Sequence, residues 1–407
     1  MNSIDGIDIA TLAEEYGTPL YVYSAEQIRI NYSDLNSAFQ KYYPKTKIHF
    51  SVKANSNLSI LELFRSINCG ADCSSPIELE LTKKAGFDAD KILYTGNYES
   101  FSDLENAYNS KVTLNLDDIN SFKRLVQIAV PERIAFRINP GIGRGGFEGI
   151  VTGGTDAKFG IPYERAFSAY KLAKDSGVNR FGIHMMTGSN NLEPYYFAEI
   201  VDKLLTIAGD IFHKLGIIPE YVDIGGGFGI PYHNDEETLN VDLTAQLVTE
   251  MFIEKCTKYG FGEPNLYLEP GRFLVANSGY LITKVTGIKN SYKNFVGLDA
   301  GMNTLIRPAL YGAKHRIEVY NNDNNTQMVN ICGQICENSD IFSVLQPFPE
   351  VSEGDIAIIR DVGAYGYVMS SNYNNRLRPA EVLIDNSRHN LIRRRENFDD
   401  VLRLYEF

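Results

Sequence analysis

Basic residues are in deficit in this 407-residue chain: 39 lysines and arginines stand against 51 aspartates and glutamates, a formal net charge of −12 at pH 7. A surface of that sign repels phosphate backbones and anionic lipid, so neither nucleic acid nor a membrane is expected as a partner. The one sizeable basic run, Arg393-Arg394-Arg395, reads as a solvated face or an ion-pairing strand end. No apolar run approaches the ~18 residues that a membrane-spanning helix requires. The first residues, Met1 to Asp8, lack a basic region followed by an apolar core. No signal peptide is therefore expected, and the expected compartment is the cytoplasm. Cysteine is scarce: Cys69, Cys73, Cys256, Cys332 and Cys336 make an odd number, and no Cys-x-x-Cys occurs. Two of the pairs are four residues apart, but His184 and His213 have no partner at metal-type spacing. Free thiols in a reducing compartment, and no metal, are expected.

What is present is apolar residue in quantity, 44% of the chain, over a length that suggests two or three domains. From residue 45 onward, short β-rich runs alternate with longer amphipathic stretches, the pattern of parallel βα units. Strands are expected at 47–52, 70–73, 92–94, 112–115, 134–138, 181–185, 221–224 and 266–268. Helices are expected at 58–67, 77–85, 119–129, 163–174, 197–215 and 243–259. Eight such units predict a (β/α)8 TIM barrel over residues 26–273. After Arg272 the strand-like runs follow one another without long helices, at 280–288, 295–298, 316–320, 329–331, 356–360, 380–384 and 391–393. They predict a mostly antiparallel β-barrel or sandwich domain over 274–407, to which residues 1–25 contribute a strand at 19–24. The polar stretch 321–325 reads as a turn.

Chemistry in a TIM barrel sits where strands end. Here six of the eight ends carry versatile groups: Lys53, Asp72, Arg137, His184, Gly225–Gly227 and Glu269. A lysine closing an apolar strand enters a partly dry cavity that favours the reactive amine, as condensation with an aldehyde requires. Taken alone, such a lysine more often snorkels to solvent. The run Gly225-Gly226-Gly227-Phe228-Gly229 lets backbone N–H groups close on a phosphate, though a plain turn reads equally well. It is neither a Walker sequence nor a dinucleotide fingerprint. Gly188-Ser189 would add a hydroxyl to the same anion. In Glu269-Pro270-Gly271-Arg272 a carboxylate can keep a pyridine nitrogen protonated, and Gly271 can add an N–H; an exposed turn is the plainer alternative. In the second domain, Cys336 can return a proton and Glu337 can hold an amine, against the usual reading of an isolated cysteine as structural. Arg307 and Tyr311, four apart, can clamp a carboxylate, and Tyr365 can donate to a phosphate.

In this order the motifs resemble the diaminopimelate decarboxylase branch of the alanine-racemase-like pyridoxal enzymes. The resemblance runs from about Pro19 to Arg394, with its most specific stretches at Ser51–Asn55, Gly225–Gly229, Glu269–Arg272, Arg307–Tyr311 and Cys336–Asp340. It implies pyridoxal 5'-phosphate as cofactor, Lys53 as the Schiff-base lysine and Glu269 as partner of the pyridine nitrogen. It assigns Ser189, Gly226, Gly227, Gly271, Arg272 and Tyr365 to the phosphate, and Asp72, Arg137, His184 and Met186 to the rest of the cofactor site. Arg272, Arg307, Tyr311, Glu337 and Tyr365 would bind an amino-acid substrate. The family forms homodimers with shared sites, to which Cys336 and Glu337 would be contributed across the subunits, with Lys158 and Asp340 as a bridging pair. The implied reaction is decarboxylation of meso-2,6-diaminopimelate to L-lysine. Alternatives are a related substrate (ornithine, arginine, carboxynorspermidine or a carrier-bound glutamyl group) or a non-catalytic regulatory homologue. One departure stands out: Met186 occupies the place where the family usually has a histidine stacked on the cofactor ring. A thioether can also pack on an aromatic face, at roughly 0.3–1.5 kcal/mol.

Overall fold

The computed structural model describes residues 1–143, 152–233, 235–320 and 326–406. The expected turn at 321–325 lies outside the described residues. The chain divides into two compact units, one of Asn31–Pro231 with Glu237–Phe273, the other of Met1–Ile30, Tyr232–Glu236 and Leu274–Phe407.

The first unit is a closed barrel of eight parallel strands: β1 (Thr46–Ser51), β2 (Gly70–Cys73), β3 (Ile92–Tyr94), β4 (Thr113–Leu116), β5 (Arg133–Phe136), β6 (Arg180–His184), β7 (Tyr221–Asp223) and β8 (Asn265–Leu268), with β8 pairing back to β1. Helices cover its outside, so the strands are buried on both faces and read as near-continuous apolar runs. The helices begin at polar caps: Asn57, Ser75, Asp118 and Asn240 each accept a backbone N–H of the first turn. Helices Pro194–Leu215 and Val241–Tyr259 stop at Gly216 and Gly260, both left-handed. Inside the barrel, Leu93, Ala135, Tyr221 and Tyr267 form a packed layer, and the Tyr221 hydroxyl donates to Asn115 Oδ1 at 2.9 Å. Gly182 on β6 makes that layer possible, because a Cβ there would collide with the Tyr221 ring. The fifth strand was expected to run to residue 138 but leaves the barrel after Phe136. Arg137 keeps a single bridge to His184, and Ile138–Asn139 turns outward to pair with Ile161–Pro162.

In the second unit, nine strands form one sheet among the described residues. Its spine is Gly279–Asn290. The first half of that strand lies between Leu20–Ser24 and Ile356–Arg360, antiparallel to both; from Val285 onward it pairs with Asn294–Leu298, with an irregularity between Val285 and Gly287. Two pairings are parallel, Leu20–Ser24 with Ala380–Asp385 and Asn294–Leu298 with Thr326–Cys332. The N-terminal helix Ile9–Tyr16, capped by Asp8, sets Ile9, Leu12 and Ala13 on Leu20, Val22, Ile282, Ile358 and Val382. Each such Leu or Ile contributes roughly 1.5–3 kcal/mol on burial. The arginine run ends in ion pairs and caps: Arg393 meets buried Glu381, Arg394 meets Asp400, and Arg395 donates to the Pro19 carbonyl at 2.7 Å. No described helix is long and apolar enough to cross a membrane.

Candidate active site

Closure of β8 on β1 creates the centre of the barrel site. The Ser51 hydroxyl donates to the Glu269 carbonyl at 2.9 Å, and the Ser51 N–H to the Pro270 carbonyl at 3.2 Å. These bonds dock the end of β1 against the end of β8. Immediately after Ser51 the chain makes one tight turn, Val52–Ala54, which carries Lys53. Its ammonium pairs with Asp72 Oδ2 at 2.9 Å. The side chain is 43% exposed, so the dry cavity expected around this amine is not its environment in this conformation. What holds it is the fully buried carboxyl at the end of β2.

Three carboxyl groups, Asp72, Asp223 and Glu269, are buried at neighbouring strand ends with His184. Burial, then the charge of Glu269, pushes Asp72 above the usual carboxylate range, against the pull of Lys53. Burial and Glu269 together push Asp223 well up. Burial also works to raise Glu269, but His184 at 3.4 Å, Lys53 and a hydrogen bond with Asp223 outweigh it and hold Glu269 below its ordinary range. The low-dielectric cluster therefore keeps Asp223 as the acid and Glu269 as the anion. Asp223 Oδ1 accepts the Gly225 N–H at 2.9 Å, so the same residue steadies the glycine turn. Sequence reasoning passed over Asp223; its signal was a lone acid inside a fully apolar strand, Val222-Asp223-Ile224.

The turn after β7 brings backbone rather than side chain to the site. A Cβ on Gly226 would collide with the Glu269 carbonyl oxygen, and Gly227 has φ +94°. Met186 lies against this turn: its Sδ accepts the Gly226 N–H at 3.2 Å, and its carbonyl accepts from Arg137 Nη2 and Thr152 Oγ1, both at 3.3 Å. Arg137 is buried, 3.9 Å from Asp117 and with its guanidinium carbon 4.5 Å from the centre of the Phe159 ring. Arg272 Nη2 reaches Ser189 Oγ at 3.4 Å, and Gly271 precedes the one-turn helix Arg272–Val275. The structure thus brings Lys53, Asp72, Arg137, His184, Met186, Ser189, Gly226, Gly227, Glu269, Gly271 and Arg272 together within the barrel unit.

In the other unit, Arg307 starts the short helix Arg307–Tyr311, which Gly312 closes in the left-handed region. Arg307 is buried against Tyr232 and His315, two residues the sequence did not single out. Cys336 and Glu337 are exposed in one loop. Hydrogen bonds from Ser339 and then Tyr373 hold Glu337 below the usual range. Asp340 is buried, its two oxygens accepting the N–H groups of Met302 and Ile335 at 2.6 and 2.7 Å, which ties its own loop to the segment at Met302. Tyr365 is half-buried with φ +56°.

These residues fit a pyridoxal phosphate. Glu269 Oε1 is buried without a hydrogen-bond partner, as an acceptor for a pyridinium requires, and the glycine turn leaves room for an anion that a side chain would fill. His184, Asp223 and Glu269 bring ligand atoms within 4.8 Å of one another, a spacing that a divalent cation would accept as well. A lysine ammonium acting on Glu269 opposes a second cation there and favours an organic cofactor.

Residues 29–276 match the family described as "Pyridoxal-dependent decarboxylase, pyridoxal binding domain". A protein of Methanothermobacter thermautotrophicus named diaminopimelate decarboxylase is 43% identical over 404 residues, 98% of this chain and 94% of that one. The crystal structure of diaminopimelate decarboxylase from Helicobacter pylori complexed with L-lysine is similar at TM-score 0.90 and 33% identity, covering 98% of this chain and 99% of the other. That of diaminopimelate decarboxylase from M. jannaschii in co-complex with L-lysine is similar at TM-score 0.90 and 36% identity, with 98% and 94% covered. The chain belongs to the pyridoxal-dependent decarboxylases, in their diaminopimelate decarboxylase branch.

Proposed function

We propose that this chain converts meso-2,6-diaminopimelate to L-lysine and carbon dioxide with pyridoxal 5'-phosphate as cofactor. The observation that carries the reading is the placement, at the joined ends of β1 and β8, of the Lys53 amine, paired with buried Asp72, and of a buried carboxylate on Glu269 that the amine's charge helps to keep ionised. When bound, the cofactor supplies an aldehyde for the substrate amine and a cationic ring that withdraws the electron pair of the breaking carbon–carbon bond. Lys53 would hold the cofactor through its aldehyde, and Glu269, anionic beside Asp223, would hold a proton on its pyridine nitrogen. Gly226, Gly227, Gly271, Ser189 and Tyr365 take the phosphate, and Asp72 orients the Lys53 amine. Arg137 fixes the Met186 carbonyl, and with it the chain segment carrying that thioether.

Arg307, Tyr311 and Arg272 bind the carboxylate that the substrate keeps, because a guanidinium matches a carboxylate in two parallel hydrogen bonds. Glu337 receives the distal amine, and Cys336 returns the proton to the carbon that has lost its carboxylate. The protein works as a homodimer in which Cys336 and Glu337 serve the neighbouring subunit. It resides in the cytoplasm, where five free thiols, one of them exposed, are compatible with a reducing medium.

Lys53→Ala should abolish carbon dioxide release and the visible absorbance of the lysine-bound cofactor. Full turnover in that variant would end the assignment. A second reading, decarboxylation of a related amino acid, draws on Met186 standing in the place of a stacking imidazole. Carbon dioxide release from meso-diaminopimelate, ornithine, arginine and D-lysine, compared side by side, separates the two.

A further inference from the structure

Arg307 is 1% exposed, and two side chains of its own unit set its direction. Nη1 donates to the Tyr232 hydroxyl at 3.1 Å and lies 2.9 Å from His315 Nε2, while the guanidinium carbon sits 4.7 Å from the centre of the Tyr232 ring. A guanidinium offers only donors, so Nε2 of His315 must present its lone pair. On the other side of the ring, Nδ1 lies 2.9 Å from the Arg360 carbonyl oxygen, which can only accept. Nδ1 must therefore carry the hydrogen. These two neighbours leave a single tautomer, and they disfavour an imidazolium, which would aim an N–H at a cation. His315 is itself buried and meets the Tyr232 ring edge-on at 5.2 Å. The charged groups along the adjoining strand are matched elsewhere, Arg316 with Asp361 and Arg360 with Glu318.

A phenol and an imidazole meet Arg307 Nη1, and together they orient the guanidinium. Ordering a long, flexible side chain before the ligand arrives removes that ordering cost from binding.

We propose that His315 is a positioning residue for substrate recognition: its Nε2 lone pair, together with the Tyr232 hydroxyl, presets Arg307 for the carboxylate that the substrate keeps. The inference rests on the reading of Arg307 as the carboxylate-binding residue. His315 touches neither substrate nor cofactor; it acts through Arg307.

Two substitutions separate the roles of the ring nitrogens. In His315→Gln the side-chain oxygen falls near the Nε2 position and retains an acceptor for Arg307. In His315→Asn the amide falls near Nδ1 and retains the bond to the Arg360 carbonyl but not the acceptor. With the holoenzyme, His315→Asn should raise KM for meso-diaminopimelate and the inhibition constant of L-lysine about tenfold or more, while kcat changes less than about threefold. His315→Gln should keep both constants within about threefold of wild type. Inhibition by 1,5-diaminopentane, the same chain without carboxylates, should be unchanged in every variant. Tyr232→Phe, which deletes only the other acceptor, should move KM in the same direction as His315→Asn. The reverse pattern, with Asn harmless and Gln damaging, would make His315 a brace for the Arg360 carbonyl and overturn the proposal. So would unchanged KM in both His315→Asn and Tyr232→Phe. Arg307→Lys tests the underlying reading separately: if it leaves KM and L-lysine inhibition unaltered, the carboxylate assignment of Arg307 fails, whatever His315 does. If Arg307→Lys raises KM and the His315 and Tyr232 variants do not, only the positioning role fails.

Discussion

Asp223 and Glu269 are buried side by side at the ends of adjacent strands, and the energetics of that contact depend on one proton. Asp223 has no exposed surface, accepts a backbone N–H through Oδ1, and shares a hydrogen bond with Glu269. Two anions there would repel in a medium of low dielectric, so burial and Glu269 hold Asp223 in its acid form. A carboxyl raised in the folded state favours the fold at low pH and loses that advantage as the pH climbs past the unfolded value of about 3.9. Asp223→Asn is neutral at every pH and escapes the loss. Melting temperatures of the variant should therefore gain on wild type as pH is raised from about 4 to about 8. Parallel curves over that range would mean that Asp223 does not carry the proton. The cofactor site should survive the change, because an amide reproduces the shape of the protonated acid.

At the scale of the element, the strand-to-helix loops carry the barrel site, and the glycine turn after β7 is the tightest of them. Gly226→Ala pushes a methyl group into the carbonyl of Glu269, a backbone atom that cannot swing aside. The turn or the end of β8 must shift, and overpacking of this kind costs about 1–3 kcal/mol. The dissociation constant for pyridoxal phosphate, measured by titrating the cofactor-free protein, should rise by about tenfold or more. Affinity equal to wild type would remove this turn from the phosphate site. Elements of this sort were legible because the barrel strands are short, apolar and bounded by turn residues. The strand Ile341–Pro349 was not legible. Pro347 and Pro349 argue against a strand, yet it lies at the edge of the sheet, where a missing N–H costs little. The capping box of Ser100 and Asp103, which opens the helix Phe101–Asn109, was present in the sequence and left unread.

For the whole molecule, the proposed homodimer with shared sites makes a quantitative claim. Lys53→Ala and Cys336→Ala should each be inactive or nearly so alone. If Cys336 serves the neighbouring subunit, mixing the two variants under conditions of subunit exchange yields dimers with one intact site. Random pairing then restores about a quarter of wild-type activity. No recovery, with subunit exchange verified by mass, would place Cys336 at the site of its own chain or outside catalysis. The division into units also shows what chain order conceals: Tyr232–Glu236 follows β7 in sequence yet packs with the sheet unit, where Tyr232 meets Arg307.

Periodicity and local turn chemistry are properties of neighbouring residues, so the sequence alone determined the eight-stranded barrel, the sheet unit after it, and the amine, glycines and carboxylate at the strand ends. The tertiary structure decided the rest. Ionisation depends on burial and on charges brought close by barrel closure, so only the fold could assign the proton to Asp223 and the negative charge to Glu269. Hydrogen-bond direction depends on which groups face each other, so only the fold could reveal that Arg307 leans on His315 and Tyr232. The same holds for Met186, whose sulfur rests on the glycine turn because β6 and β7 are neighbours in the barrel.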